Sequence, residues 1–363
     1  MKRILFVLVL LFTASFALAS SPLAVHLIDV GQGDAIFIQS SEGKTMLIDG
    51  GEKNGKAEKY LDSLGVRAID VIVATHPHLD HIGGLPAIIQ KYDVKQIVMP
   101  RVTSVTTVIY QQLLETIKAK GLRITEGKAG LVIDLGSSAT VECLAPNGTE
   151  YKDLNDYSVV LKLTYGDTSF LLTGDATTVS EKEMSQLHPE KLKSTVLKIG
   201  HHGSSGSSSA TFMKEVGPQI VVFSVGKDNS FGHPTQVVWN RVSGSYLFRT
   251  DEQGTIIFVT DGKQLAAYRP PVNGQYQALA AYQTPGSLVA QAQPASAQPP
   301  VAAQSQPMTA AQNPQAASTE TVYVTKSGTK YHKAGCQSLS NSSIPMNRTE
   351  AAQKYGPCGI CKP

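Results

Sequence analysis

Thr75-His76-Pro77-His78-Leu79-Asp80-His81-Ile82-Gly83-Gly84 decides how the rest of this chain is read. A β-branched run, Val71 to Thr75, ends where the stretch begins, and an apolar periodic segment, Leu85 to Tyr92, starts after its two glycines. The cluster therefore sits on a strand-to-helix loop, where side chains can converge on one point. Three imidazoles and a carboxylate within six residues mix nitrogen and oxygen donors. That mixture suits zinc or a similar divalent cation. A single histidine is usually structural or solvated, but this density is hard to account for that way.

Other polar residues also stand at the ends of apolar runs. Upstream lie Leu27-Ile28-Asp29-Val30-Gly31-Gln32-Gly33-Asp34-Ala35 and Met46-Leu47-Ile48-Asp49-Gly50-Gly51. Downstream lie Phe170-Leu171-Leu172-Thr173-Gly174-Asp175 and Leu197-Lys198-Ile199-Gly200-His201-His202-Gly203-Ser204. Strands are expected at 24–29, 35–39, 45–49, 71–75, 97–99, 158–165, 169–173, 194–199, 220–224 and 255–259. Helical periodicity covers 85–92 and 108–120, the latter stopped by Gly121. Some strands precede helices and others pair as hairpins, so a layered α/β architecture with mixed sheets fits.

In order and spacing these motifs resemble the metallo-β-lactamase-fold hydrolases, whose hallmark is His-x-His-x-Asp-His. The Asp-Val-Gly-Gln-Gly-Asp, Thr-Gly-Asp and His-His-Gly-Ser series is similar to the branch holding the hydrolase domain of the competence protein ComEC. The resemblance implies a four-layer αββα sandwich over 22–269, with two divalent metal ions (zinc or manganese) at one edge of the paired sheets. It makes His76 and His78 ligands of one ion, and Asp80 and His81 ligands of the other. Asp175 would bridge both. His201 or His202 would complete the second site, and the sequence does not separate them. Asp49 would orient the ligands by accepting a hydrogen bond from an imidazole N–H. From Ile82 to Asp175 there is no histidine, so the first site is expected to be the weaker. Asn155 and Asp156 either offer an oxygen ligand there or form a turn.

A divalent cation lowers the pKa of a bound water toward neutrality, which fits hydrolysis of phosphodiesters, phosphoesters, thioesters, lactones or β-lactams. Two loops favour a phosphorus ester. Gly203 to Ser209 can present hydroxyls and N–H groups to an anion, Ser204 and Ser205 first among them, while Ser208 or Ser209 caps the next helix. In Ser224-Val225-Gly226-Lys227-Asp228-Asn229-Ser230-Phe231-Gly232-His233-Pro234, His233 would protonate the leaving oxygen or contact phosphate, steadied by Lys227 or Asn229. Asp80 and His233 are the candidate catalytic side chains. The expectation is an exported metal-dependent phosphodiesterase, a nuclease acting on DNA. The alternatives are a hydrolase of another ester or amide, β-lactams included, and a binding protein with weakened catalysis.

The 363 residues carry 17% charged side chains and a net charge of +3. Two of those charges, Lys2 and Arg3, belong to a basic, apolar, Ala-x-Ala segment that reads as a signal peptide over 1–19, so the mature chain is secreted with about +1. No strong basic footprint argues for nucleic acid by charge alone. Residues 270–319 contain no Lys, Arg, Asp or Glu and read as a linker. In 320–363, His332, Cys336, Cys358 and Cys361 form His-x3-Cys and Cys-x2-Cys pairs, a plausible closed structural zinc site. A disulfide there would leave an odd thiol and an unused histidine, so zinc is preferred. Cys143, beside Leu144, is expected to be a buried free thiol.

Overall fold

Alternation along the strands builds two sheets that share one core. The computed structural model describes residues 22–103, 105–272, 274–279, 321–324, 330–332, 336, 344–347, 351 and 356–357. They fall into two units, one within 1–304 and the other within 305–363. In the larger unit, β1 (Leu23–Leu27), β2 (Ile36–Gln39), β3 (Thr45–Ile48), β4 (Ala68–Val73), β5 (Asp93–Met99) and β6 (Ile124–Glu126) belong to the first sheet. The second sheet follows, with β7 (Val132–Ile133), β8 (Thr140–Ala145), β9 (Val160–Tyr165), β10 (Thr168–Leu172), β11 (Val196–Lys198), β12 (Ile220–Phe223) and β13 (Tyr246–Arg249). The chain then returns to the first sheet with β14 (Ile256–Thr260), β15 (Leu265–Val272) and β16 (Gln275–Ala278).

The first sheet runs β16-β15-β14-β1-β2-β3-β4-β5-β6 and the second β13-β12-β11-β10-β9-β8-β7. In β2 to β4, Ile36, Ile38, Met46, Ile48, Val71 and Val73 face the second sheet, where Leu161, Leu163, Phe170, Leu172 and Val222 meet them. The intervening Phe37, Leu47 and Ile72 face outward, onto the helices α1 (Lys56–Ser63), α2 (Leu79–Ile82), α3 (Leu85–Lys91) and α4 (Val108–Ala119). Leu171, Val221 and Phe223 likewise point to the outer side of the second sheet. There α5 (Thr178–Leu187), α6 (Pro189–Leu192), α7 (Ala210–Val216) and α8 (Gln236–Arg241) pack, before the short α9 (Thr250–Gln253). This period-two division between inner and outer faces produces the expected four-layer αββα order.

Two differences from the sequence reading concern extent. Antiparallel pairing of β15 with β14 and β16 carries the first sheet past Arg269 to Ala278, so the start of the expected linker is strand. Cross-strand hydrogen bonds, Tyr268 packed on Tyr276 and the cluster of Ala24, Ile257, Val259 and Ala266 hold a segment that has almost no charge to mark it. Short strands such as β6 and β7 escaped recognition because two or three residues carry no period. Cys143 is a buried free thiol, as expected, and burial pushes it up to about 12.

In the smaller unit, β17 (Thr321–Val324), β18 (Lys330–His332), β19 (Ile344–Asn347) and β20 (Gly356–Pro357) form a sheet in the order β19-β17-β18-β20. His332 Nδ1 lies 3.3 Å from Cys336 Sγ, and both side chains are buried. Cys358, Cys361 and the signal segment lie outside the described residues.

Candidate metal centre

Strands β3 and β4 are parallel neighbours, as are β10, β11 and β12, and every expected site segment leaves one of their C-terminal ends. Asp49 follows β3, the histidine loop follows β4, Asp175 follows β10, and His201-His202 follows β11. Loops at that end are where side chains from separate strands meet over a sheet.

The loops lock onto each other through glycine. Gly33 has φ 115°, and a Cβ on it would lie 2.0 Å from the Asp80 carbonyl oxygen. A Cβ on Gly226 would lie 2.5 Å from the Gln32 amide nitrogen. Only residues without side chains allow these backbones so close. Ser224 Oγ donates to the Gly33 carbonyl at 2.9 Å, and the Gly226 N–H donates to Gln32 Oε1 at 3.1 Å. The Asp-Val-Gly-Gln-Gly-Asp and Ser-Val-Gly segments are thus one contact, holding α2 against the second sheet.

Asp80, His81, Asp175 and His202 converge, with one donor atom from each inside a 4.8 Å span. His81 Nε2 stands 3.2 Å from Asp175 Oδ2 and 3.3 Å from His202 Nε2. His202 Nε2 is 3.3 Å from both Asp175 Oδ2 and Asp80 Oδ2, and His81 Nε2 is 3.8 Å from Asp80 Oδ2. Donors around a tetrahedral cation with bonds of about 2.0–2.2 Å lie about 3.3–3.6 Å apart, so these separations fit the edges of one coordination shell. His76 Nε2 lies 3.0 Å from His78 Nδ1 and 3.9 Å from Asp175 Oδ2. Asp175 Oδ2 therefore faces both groups of imidazoles, the place a bridging carboxylate needs. Asp175 Oδ1 is buried without a hydrogen-bond partner.

The imidazoles are aimed from behind. Asp49, with φ 58° at the end of β3, accepts from His81 Nδ1–H at 2.7 Å, from the Thr75 N–H at 2.8 Å and from Thr75 Oγ1 at 2.6 Å. His202 Nδ1–H donates to the Ser224 carbonyl at 2.7 Å. Both contacts turn Nε2 into the centre, the tautomer a ligand requires. His202 is thereby separated from His201, which keeps 29% of its side chain exposed, stands 3.7 Å from Asp175 Oδ2 and meets His233 edge to face.

Charge agrees with geometry. Four carboxylates, Asp34, Asp49, Asp80 and Asp175, are gathered around one ammonium, that of fully buried Lys198. Burial works against charge at His202, yet Asp175 and Asp80 outweigh it and push the imidazole up to about 9. Burial is likewise outweighed at His81 by Asp175, Asp80 and Asp49, and that group is raised well above the usual histidine range. At Asp175 and Asp80 burial favours the neutral acid, but the adjacent imidazoles hold both carboxyls far below their ordinary range. His76 is lowered, by burial first and by His81 second. Protons on His81 and His202 thus do for the carboxylates what a cation would do, and the donor set fits a divalent metal.

Several contributors were not singled out from the sequence. Lys198 Nζ is 2.6 Å from Asp34 Oδ2, 2.8 Å from the Gly174 carbonyl and 3.6 Å from Asp175 Oδ1. The signal was available, since a lysine inside Val196-Leu197-Lys198-Ile199 needs a buried partner. Ser158 Oγ accepts the Asp175 N–H at 3.1 Å and lies 3.4 Å from His76 Nδ1. Asp156 Oδ1 accepts from Thr177 and Ser180, which ties it to the start of α5. Asn155 is buried with Oδ1 unpartnered. In the serine loop, Glu181 accepts from the Ser208 and Ser209 N–H groups and Ser209 caps α7, while Ser204 is half-buried and Ser205 exposed. Lys227, Asn229 and His233 line a cavity of about 620 Å³ at the rim. Asn229 spends its amide on its own loop, donating to the Gly226 and His233 carbonyls and accepting from the His233 N–H. Burial and the neighbouring His201 and His202 push His233 down to about 4.

Comparison with known proteins points the same way. Residues 28–226 match the profile described as Metallo-beta-lactamase superfamily. ComE operon protein 3 of Bacillus subtilis is 30% identical over 258 residues, 65% of this chain and 33% of that protein. Competence protein ComA of Neisseria gonorrhoeae is 30% identical over 247 residues, 67% of this chain and 33% of that protein. Endoribonuclease YSH1 of Yarrowia lipolytica is 25% identical over 185 residues, 46% of this chain and 22% of that protein. The chain spans about a third of the length of the first two of these relatives. The matched region begins at Ile28 and ends at Gly226, so it takes in every loop that contributes to the centre, and the chain belongs to the metallo-beta-lactamase superfamily.

Proposed function

We propose that the chain is an exported metal-dependent phosphodiesterase that cleaves DNA. The observation that carries the reading is the position of Asp175, whose Oδ2 lies 3.2–3.9 Å from His81, His202, His201 and His76. In this reading Asp80, His81, Asp175 and His202 hold one divalent ion, and His76, His78 and Asp175 hold a second, more weakly. Zinc and manganese both suit these donors. When bound, such cations make hydroxide available near neutral pH and offset charge on a phosphoryl group.

The protein's own residues then bind and orient. The Lys227 ammonium and the hydroxyls of Ser204 and Ser205 meet phosphate oxygens. His233, neutral at pH 7, donates an N–H hydrogen bond to a phosphate or leaving oxygen and does not arrive already protonated. Names among the relatives support a nucleic acid: one is a competence protein and one is an endoribonuclease. No described helix is long and apolar enough to cross a membrane. The test uses full-length protein on bis(p-nitrophenyl) phosphate and on DNA, with metal analysis, before and after chelation. The expected result is cleavage of both, lost with chelator and in Asp175→Ala. Hydrolysis of a chromogenic β-lactam without either phosphodiester would refute the reading. Retention of about two ions without turnover of any ester would point instead to a binding protein.

A further inference from the structure

We propose that Phe231 is a stacking platform for the nucleobase that flanks the bound phosphate, so that the substrate enters as a single strand. The inference rests on the phosphodiester reading and adds the form of the nucleic acid.

Phe231 is 65% exposed, on the loop whose next-but-one residue, His233, lines the cavity beside the centre. Its ring lies over the His233 imidazole, with centroids 5.7 Å apart and planes within 23°. His233 in turn meets His201 at 5.7 Å, and His201 Nε2 is 3.7 Å from Asp175 Oδ2. Three rings therefore lead from the carboxylate at the heart of the centre to open solvent.

The loop that carries Phe231 is braced from both sides. Asn229 ties Gly226 to His233 with three hydrogen bonds. Beyond Pro234, the Thr235 N–H and Oγ1 both donate to the Gly203 carbonyl, at 2.9 Å and 3.0 Å. A phenyl ring fixed in water forgoes the free energy of burial, and one face remains open while the other rests on His233. The cavity next to this loop is lined by Lys227 and Arg249 and also by Asp228, Asp251 and Glu252, the last two pairing with Arg249, which lies over the Trp239 ring. An exposed aromatic ring on the same loop as the exposed Lys227, beside a centre suited to phosphate, matches the way proteins hold single-stranded nucleic acid with little regard to sequence. In a duplex the base faces are already stacked and cannot reach the ring.

The experiment measures binding, so it does not depend on turnover. Fluorescence anisotropy gives the affinity of the full-length chain, with its metal, for a short labelled oligothymidylate whose phosphorothioate linkages resist cleavage. An abasic strand with the same linkages serves as the comparison. The parent is expected to prefer the base-bearing strand about 5- to 150-fold, the range that one base–aromatic stack contributes. Phe231→Ala should abolish the preference while leaving abasic binding and the melting temperature unchanged, and Phe231→Trp should keep it. Equal affinity of the parent for the two strands, or an undiminished preference in Phe231→Ala, would overturn the proposal. Failure of both strands to bind would overturn it as well. Turnover of bis(p-nitrophenyl) phosphate would then still show whether the phosphodiester reading stands.

Discussion

Replacing Lys198 by methionine is expected to destabilise the metal-free protein more than any other single change at the centre. Its ammonium is fully buried, with Asp34 Oδ2 at 2.6 Å and the Gly174 carbonyl at 2.8 Å. At an effective dielectric of about 20, the Lys198–Asp34 attraction alone is roughly 6 kcal/mol, before the cost of taking both charges out of water. Lys198→Met leaves the burial of Asp34 in place and removes its neutralising partner, a loss that typically costs about 3–5 kcal/mol. In a domain of this size each kcal/mol moves the melting temperature by about 2–4 °C, so a fall of roughly 6–20 °C is expected. Circular-dichroism melting in the presence of chelator reads it directly. Adding Asp34→Asn removes the stranded charge, and the double variant should recover a large part of the loss, giving a coupling energy above about 1.5 kcal/mol. A single variant within about 0.5 kcal/mol of the parent, or two additive losses, would show that the pair is not the buried keystone the distances imply.

Metal binding should release protons. His202, pushed up to about 9, and His81, raised well above its ordinary range, carry protons in the metal-free centre, and a cation must displace them. Affinity should therefore rise with pH above 7, by up to about two log units per pH unit, and the slope should lessen as pH passes about 9, where His202 gives up its proton. Calorimetry in buffers of unequal ionisation enthalpy should count about two protons at pH 7; none released would contradict the charge balance. The sign for stability is opposite. Histidines raised above their unfolded values stabilise the metal-free fold below about pH 6.5, and that contribution fades as pH passes about 9, so the metal-free melting temperature should fall across the interval. Gly33→Ala would set a Cβ 2.0 Å from the Asp80 carbonyl oxygen at φ 115°, and should cost at least about 3 kcal/mol and the metal site with it, read by melting and by metal analysis. Asp49→Asn keeps the shape but loses the carboxylate behind His81, so metal affinity should drop about 10- to 100-fold while the fold persists.

Much of this protein was legible from local pattern. Near-continuous apolar runs in Ile36 to Gln39, Thr45 to Ile48 and Thr168 to Leu172 mark strands buried on both faces, whose two sides meet two different cores. Period-four apolar spacing from Val108, and Gly121 with φ 66° after it, mark α4 and its end. The type of chemistry was legible too, because His76, His78, Asp80 and His81 are crowded within six residues and ligand chemistry depends on residue type.

Position in space was not legible, because it depends on contacts between residues far apart in the chain. Neighbouring histidines have the same composition, and only the Ser224 carbonyl 22 residues away turns His202 inward and leaves His201 at the rim. For Asp156 the sequence leaves both a ligand and a turn open, and only the packing of the start of α5 against it gives its carboxylate the Thr177 hydroxyl as a partner. Lys198 and Asp34 are separated by most of the domain, and although a lysine inside an apolar strand calls for a buried partner, nothing local says that the partner is Asp34. The amino-acid order sets which groups are available and on which face of a strand they lie, since those depend on propensity and period. Which of them share a proton, a cation or a buried partner is decided by tertiary packing, since Coulomb and hydrogen-bond energies act over a few ångströms of space regardless of distance along the chain.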